Sequence, residues 1–321
     1  MLTTLIIIAA IYMGWSMGAN NAANCIGANI GSRHLSMRTG IIIMCIFSFL
    51  GAVFFGDHVI TTIGKGVIDL DSLGGDKKNV IALTILFSAA FWTTLATYRK
   101  FPVSTSHAIV GSVAGGGLAL NTVIHWDKIS NIAICWIITP ITSYILAIIF
   151  YLLFRFLFSI RFIRKRRRAI IYFFVYVTSA YLAFMWGAND VANATGILYG
   201  TQGFSTVSAA SIGAIAIILG VVTWGYRVID TVGFKIMNLT PVMTIAIGVA
   251  SAINMHIYTF FGIPVSTSHA AIGAMWGVGF VRGIKTINLQ LAKEMVITWA
   301  LTPLISGIIT YVLTIIILFL K

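Results

Sequence analysis

Long apolar runs, such as those at 41–55 and 308–320, recur along this 321-residue chain. Such a chain cannot close on itself as a water-soluble globule, because too few polar side chains remain to face water on every side. Only 9% of its residues are charged, where a soluble protein carries roughly 25%. The chain reads as an all-α integral membrane protein whose crossings need about 20 apolar residues each.

Its charge balance, 21 Lys and Arg against 8 Asp and Glu, would suggest nucleic acid in a soluble protein. Here six of the basic residues lie between Arg161 and Arg168, separating two long apolar regions. That is the pattern of a cytoplasmic loop, and the interleaved aromatics of a nucleic-acid surface are missing. Cys25, Cys45 and Cys135 are odd in number and far apart, so neither a disulfide framework nor a metal-ligand spacing is expected. The amino terminus lacks the positive start of a signal peptide and reads as the first span.

The sequence also repeats itself. Gly18-Ala19-Asn20-Asn21-Ala22-Ala23-Asn24 returns as Gly187-Ala188-Asn189-Asp190-Val191-Ala192-Asn193, offset 187 − 18 = 169. Pro102-Val103-Ser104-Thr105-Ser106-His107-Ala108 returns letter for letter from Pro264 to Ala270, offset 264 − 102 = 162. Trp136, Thr139, Pro140 and Ser143 return as Trp299, Thr302, Pro303 and Ser306, offset 299 − 136 = 163. We therefore divide the chain into a first membrane repeat (1–160), a basic cytoplasmic linker (161–168) and a second repeat (169–321).

Each repeat offers five candidate membrane elements, near 2–24, 36–56, 79–97, 101–121 and 130–158, then 169–195, 205–224, 241–261, 263–281 and 290–320. An odd number inverts the second repeat relative to the first. Charge supports this: Arg33, Arg38, Arg99 and Lys100 would share the cytoplasmic side with the linker, while their counterparts around Gly200 and Phe261-Gly262 are uncharged. Asp57, Asp69, Asp71 and Asp76 against Lys65, Lys77 and Lys78 give −1, and the counterpart stretch with Arg227, Asp230 and Lys235 gives +1. Both termini would lie outside. Inverted repeats with re-entrant or broken helices at the midplane are the build of secondary transporters.

The motifs suggest what sits there. Asn20 and Asn24, like Asn189 and Asn193, are i and i+4 neighbours on one helical face. Amides and a carboxylate in a span should face the protein interior, and Gly with Asn favours a helix break that exposes carbonyl oxygens to a small cation. For one copy, plain hydrogen bonding between helices is the commoner role; two retained copies with a carboxylate favour a site, with Asp190 foremost. In the Pro-Val-Ser-Thr-Ser-His motifs, Pro suits a first helical turn and Ser or Thr its cap, so two opposed helix starts would cradle an oxyanion. Ser-x-His is a poor hydrolytic dyad at this spacing, so no enzyme is expected. His107 and His269 read as hydrogen-bonded structural residues sooner than as proton carriers, and Trp-x-x-Thr-Pro reads as a helix kink. No nucleotide loop of the Walker type is present.

The Gly-Ala-Asn-Asp-Val-Ala-Asn run, its variant at 18–24 and both Pro-Val-Ser-Thr-Ser-His copies resemble the inorganic phosphate transporter (PiT) family over the whole chain. The resemblance implies a sodium- or proton-coupled symporter that imports inorganic phosphate across the cell membrane by alternating access. Phosphate would lie between two re-entrant hairpins, bound by Ser104, Thr105, Ser106, Ser266, Thr267, Ser268, Asn24 and Asn193. The coupling cation would be held by Asn20, Asn21, Asn189 and Asp190, with sodium at Asp190, Asn20 and Asn189, and no further cofactor. One departure is Asn21, where the family commonly carries Asp. Because a carboxylate favours protonated phosphate over sulfate, its loss makes a sulfate permease of the same fold the second reading, ahead of a passive anion channel. The expected partners are the anion, surrounding lipid and a second copy in a homodimer, without nucleic acid.

Overall fold

A computed structural model describes residues 2–70, 72–161, 165–283 and 286–320. Arg164 of the basic linker and Asp71 of the charge comparison fall outside them. The described residues form twelve helices. In the first half these are α1 (Leu2–Gly31), α2 (Met37–Phe55), α3 (Asp57–Thr61), α4 (Gly75–Tyr98), α5 (Thr105–Leu120) and α6 (Trp126–Leu157). The second half supplies α7 (Arg167–Gln202), α8 (Thr206–Trp224), α9 (Tyr226–Asp230), α10 (Pro241–Phe260), α11 (Thr267–Arg282) and α12 (Leu289–Phe319). A wider π-type turn extends α3 over Thr62–Gly66 and α9 over Thr231–Lys235.

Among the described residues, eight helices are long and apolar enough to cross a membrane, so this is a multi-pass membrane protein. Large apolar side chains on their outer faces, such as Phe54, Ile137, Leu304 and Ile308, are well over half exposed in the isolated chain and suit a lipid surround. At 16 residues each, α5 and α11 span about 24 Å, short of a hydrocarbon core about 30 Å thick. The segment before α4 and the segment after α5 meet in the bridge between Ile68 and Ile124, and Asp69 N–H donates to the Val123 carbonyl at 3.0 Å. The start of α4 and the end of α5 therefore lie at the same end of the molecule, and the pair is a helical hairpin. Met237 and Ile287 bridge the corresponding segments around α10 and α11.

The halves interlock. Helix α1 packs on α8 as α7 packs on α2, and α5 packs on α12 as α11 packs on α6. Glycines make these approaches close: a Cβ on Gly18 would strike the Ile217 carbonyl, and one on its counterpart Gly187 would strike the Ser48 carbonyl. This overturns one expectation. The Asn-rich motifs do not interrupt their helices, since α1 and α7 run unbroken through them. Their glycines admit a neighbouring backbone instead of releasing their own, and the amide nitrogens of Asn20, Asn24, Asn189 and Asn193 donate sideways to the hairpins. The helix interruptions fall at Gly56 and Gly225, where α2 gives way to α3 and α8 to α9.

Candidate functional site

Twelve polar residues expected at the site gather where α1 and α7 meet the tips of the two hairpins. Each is no more than 2% exposed. Helix starts supply half of them. The Ser104 hydroxyl accepts from His107 N–H and the Ser266 hydroxyl from His269 N–H, both at 3.2 Å, which caps α5 and α11. Pro102 and Pro264 precede these caps instead of sitting in the first helical turn. Their extended segments carry the Val103 and Val265 peptide groups, which bond outward.

Asn20 holds the first hairpin turn. Its amide donates to the Thr97 hydroxyl and the Phe101 carbonyl, and its Oδ1 accepts from Val103 N–H, all at 2.9 Å. Asn189 repeats the arrangement, donating to Thr259 at 2.9 Å and the Ile263 carbonyl at 3.1 Å and accepting from Val265 N–H at 3.1 Å. Thr97 and Thr259 escaped the motif reading, although their offset, 259 − 97 = 162, is that of the hairpin motif itself.

The hairpin tips bond each other reciprocally. Ser106 donates to the Val265 carbonyl at 2.9 Å and Ser268 to the Val103 carbonyl at 3.0 Å. Asn193 Nδ2 donates to the Ser106 hydroxyl at 3.1 Å, and Asn24 Nδ2 to the Ser268 hydroxyl at 2.8 Å. The other amide oxygens, Asn24 Oδ1 and Asn193 Oδ1, are buried with no hydrogen-bond partner. Two fully desolvated acceptors at equivalent positions are an unmet demand for a donor or a cation.

At the centre, equivalent residues of the two halves touch. Asn21 Nδ2 donates to Asp190 Oδ2 at 2.8 Å and lies 2.9 Å from the Thr105 hydroxyl. Trp186 Nε1 also donates to Oδ2 at 2.8 Å, and the Thr267 hydroxyl donates to Oδ1 at 3.1 Å. All these partners are neutral. Among the described residues no lysine or arginine lies within ion-pair distance of the carboxylate, and Asp190 is 0% exposed. A carboxylate so buried is costly to keep charged unless a positive charge joins it.

The histidines and the Trp-x-x-Thr-Pro motifs explain each other. Proline has no N–H, so Pro140 leaves the Trp136 carbonyl without its helical donor, and Pro303 does the same for Trp299. His269 Nδ1 lies 2.9 Å from the Trp136 carbonyl, and His107 Nδ1 lies 2.9 Å from that of Trp299. A carbonyl only accepts, so each imidazole carries its proton on Nδ1. Helices α6 and α12 run on through these prolines. The prolines thus present a carbonyl to the hairpin helix of the opposite half, with Gly273 packed against Pro140 and Gly111 against Pro303.

A hydroxyl- and amide-lined cradle, closed between paired hairpins in a multi-pass helical bundle, has the build of a membrane transport protein. The description "Phosphate transporter family" matches residues 17–175 and 159–310, and the chain belongs to that family. A "Putative phosphate permease" of Chlamydia muridarum is 30% identical, covering 94% of this chain and 95% of that one. Its counterpart in Pyrococcus furiosus is 31% identical, covering 94% and 93%. "Inorganic phosphate transporter 2-1, chloroplastic" of Arabidopsis thaliana is 26% identical over 94% of this chain and 70% of its own length. A solved structure described as "The sodium-dependent phosphate transporter" superposes with a TM-score of 0.89 at 26% identity, covering 100% of both chains.

Proposed function

We propose that this protein is a cation-coupled symporter that takes up inorganic phosphate by alternating access between two inverted halves, with sodium as the coupling ion. The observation that carries the reading is the pairing of a buried carboxylate lacking any cationic partner, Asp190, with two buried acceptors lacking any donor, Asn24 Oδ1 and Asn193 Oδ1. A sodium ion beside Asp190 would meet the first need. The P–OH of protonated phosphate would meet the second, which sulfate, an acceptor only near neutral pH, would not. The likeness to a structure described as sodium-dependent supports sodium over the proton.

The anion would enter between the hairpin tips, exchanging the Ser106–Val265 and Ser268–Val103 bonds for bonds to its own oxygens, with Thr105 and Thr267 turning toward it. First-turn amides of α5 and α11 would add donors without a fixed positive side chain. Because the two interhalf bonds are equivalent, releasing one hairpin while the other stays seated gives two arrangements of one structure, as alternating access requires. With the basic linker on the cytoplasmic side, both termini would lie outside.

The test is radiolabelled phosphate uptake into proteoliposomes under an imposed sodium or proton gradient, with sulfate as competitor. Accumulation driven by sodium and little affected by sulfate is expected. Sulfate uptake without phosphate uptake would favour the sulfate reading, which neutral Asn21 motivates, and equilibration without accumulation would indicate a channel.

A further inference from the structure

Away from the hairpins, a cavity of about 510 Å³ opens where the end of α6, the start of α7, the start of α10 and the end of α11 meet. Arg155, Arg167 and Arg282 line it together, with Tyr151 and Thr240 among its polar groups. Among the described residues no carboxylate lines it or pairs with these arginines. The first turn of α10, at Pro241 and Val242, also borders it, adding the positive end of a 20-residue helix. Its apolar wall includes Phe158 and Ile171, each under 10% exposed.

The duplicated architecture supplies an internal control. Arg155 stands where the second half has Leu318, at offset 318 − 155 = 163, and Arg282 stands where the first half has Leu120, at offset 282 − 120 = 162. The fold tolerates leucine at both positions, so packing does not call for the arginines. Three guanidiniums in one cavity repel one another, and an arrangement of this kind is stabilised by an anion among them. Guanidinium forks match phosphate oxygens in geometry as well as charge. The cavity lies within the ~300–1,000 Å³ range of ligand pockets, larger than one phosphate needs, and it joins a charged rim to an apolar wall at the ends of membrane helices.

We propose that this cavity binds the phosphate group of an acidic phospholipid, separately from the transport site. The arginines take the phosphodiester oxygens, and the Phe158 and Ile171 wall receives the start of the acyl chains. Basic pockets between membrane helices suit such headgroups.

The experiment compares the full-length wild type with Arg155→Leu/Arg282→Leu, which borrows the residues of the opposite half, and with Arg155→Lys/Arg282→Lys. Each is purified, and retained phosphatidylglycerol is titrated by native mass spectrometry against phosphatidylcholine, then in parallel with inorganic phosphate alone. Phosphate uptake in neutral-lipid vesicles checks that each variant is folded. The expected result is selective phosphatidylglycerol retention by the wild type, weakened about tenfold or more in the leucine variant and largely kept in the lysine variant, with uptake intact in all three. Equal phosphatidylglycerol retention by wild type and the leucine variant overturns the proposal. So does an arginine-dependent site that takes inorganic phosphate and shows no preference for the acidic lipid.

Discussion

Residues 21 and 190 hold equivalent places on α1 and α7, and they differ by one charge. Around them the halves match almost bond for bond: Asn20 and Asn189 clamp the hairpin turns, Asn24 and Asn193 reach the opposite serines, and His107 and His269 take the carbonyls freed by proline. At the centre the match ends, because Asn21 donates to Asp190 instead of facing it as a second carboxylate. Twofold geometry with onefold charge separates a hydrogen-bonded scaffold shared by both halves from one buried carboxylate. In the proposed mechanism the reciprocal bonds would serve the motion in both halves while that carboxylate sets the demand for a cation.

The largest effect should come from removing that charge. Asp190→Asn should cut sodium-driven phosphate uptake by 100-fold or more, on the order of 3 kcal/mol. Unchanged sodium dependence in proteoliposomes would detach the carboxylate from coupling. Restoring charge symmetry is the converse probe. Asn21→Asp would place two carboxylates about where one hydrogen bond now spans 2.8 Å, and both cannot stay ionised there without added positive charge. Uptake should then rise more steeply with sodium concentration, and the phosphate-to-sulfate ratio should grow by about tenfold. An unaltered sodium titration would mean that the centre does not sense this charge.

Smaller effects test the symmetric part. Ser106→Ala and Ser268→Ala each remove one bond between hairpins and leave a buried carbonyl with one donor fewer, for a loss of about 1–3 kcal/mol. Thermal unfolding of the two variants should shift alike; a marked difference would show that one hairpin is held more firmly. The smallest effect concerns a site where the halves diverge. Trp92 donates to Thr302 at 3.2 Å, whereas its counterpart Asn254 reaches Ser143 at 2.6 Å and the Thr139 carbonyl at 2.9 Å. Asn254→Ala should therefore cost more than Trp92→Phe by about 1 kcal/mol in the same unfolding measurement.

Much of the molecule was legible because the signal was local or duplicated. Apolar runs announced the spans, and the helix starts at Ser104 and Ser266 followed from cap chemistry. The Asn-rich runs misled on one point, suggesting a helix break where glycine instead admits a neighbouring helix. Whether a glycine loosens its own helix or accommodates another depends on what stands beside it, which no window of sequence contains. The same holds for Thr97 and Thr259, ordinary residues of membrane helices until a distant amide meets them, whereas Trp186 meets Asp190 one helical turn away.

By itself, the order of residues determined an all-helical membrane chain made of two related halves, with hydroxyl and amide clusters in each. Hydropathy belongs to single segments and repetition to the comparison of one segment with another, and both survive without any knowledge of contacts. Tertiary structure alone decided that Asn21 meets Asp190, that each proline serves the opposite half's histidine, and that three arginines from three helices share one cavity. Asn21 and Asp190, each proline and its histidine, and Arg167 and Arg282 all lie more than 100 positions apart, and such pairings exist only once the helices have packed.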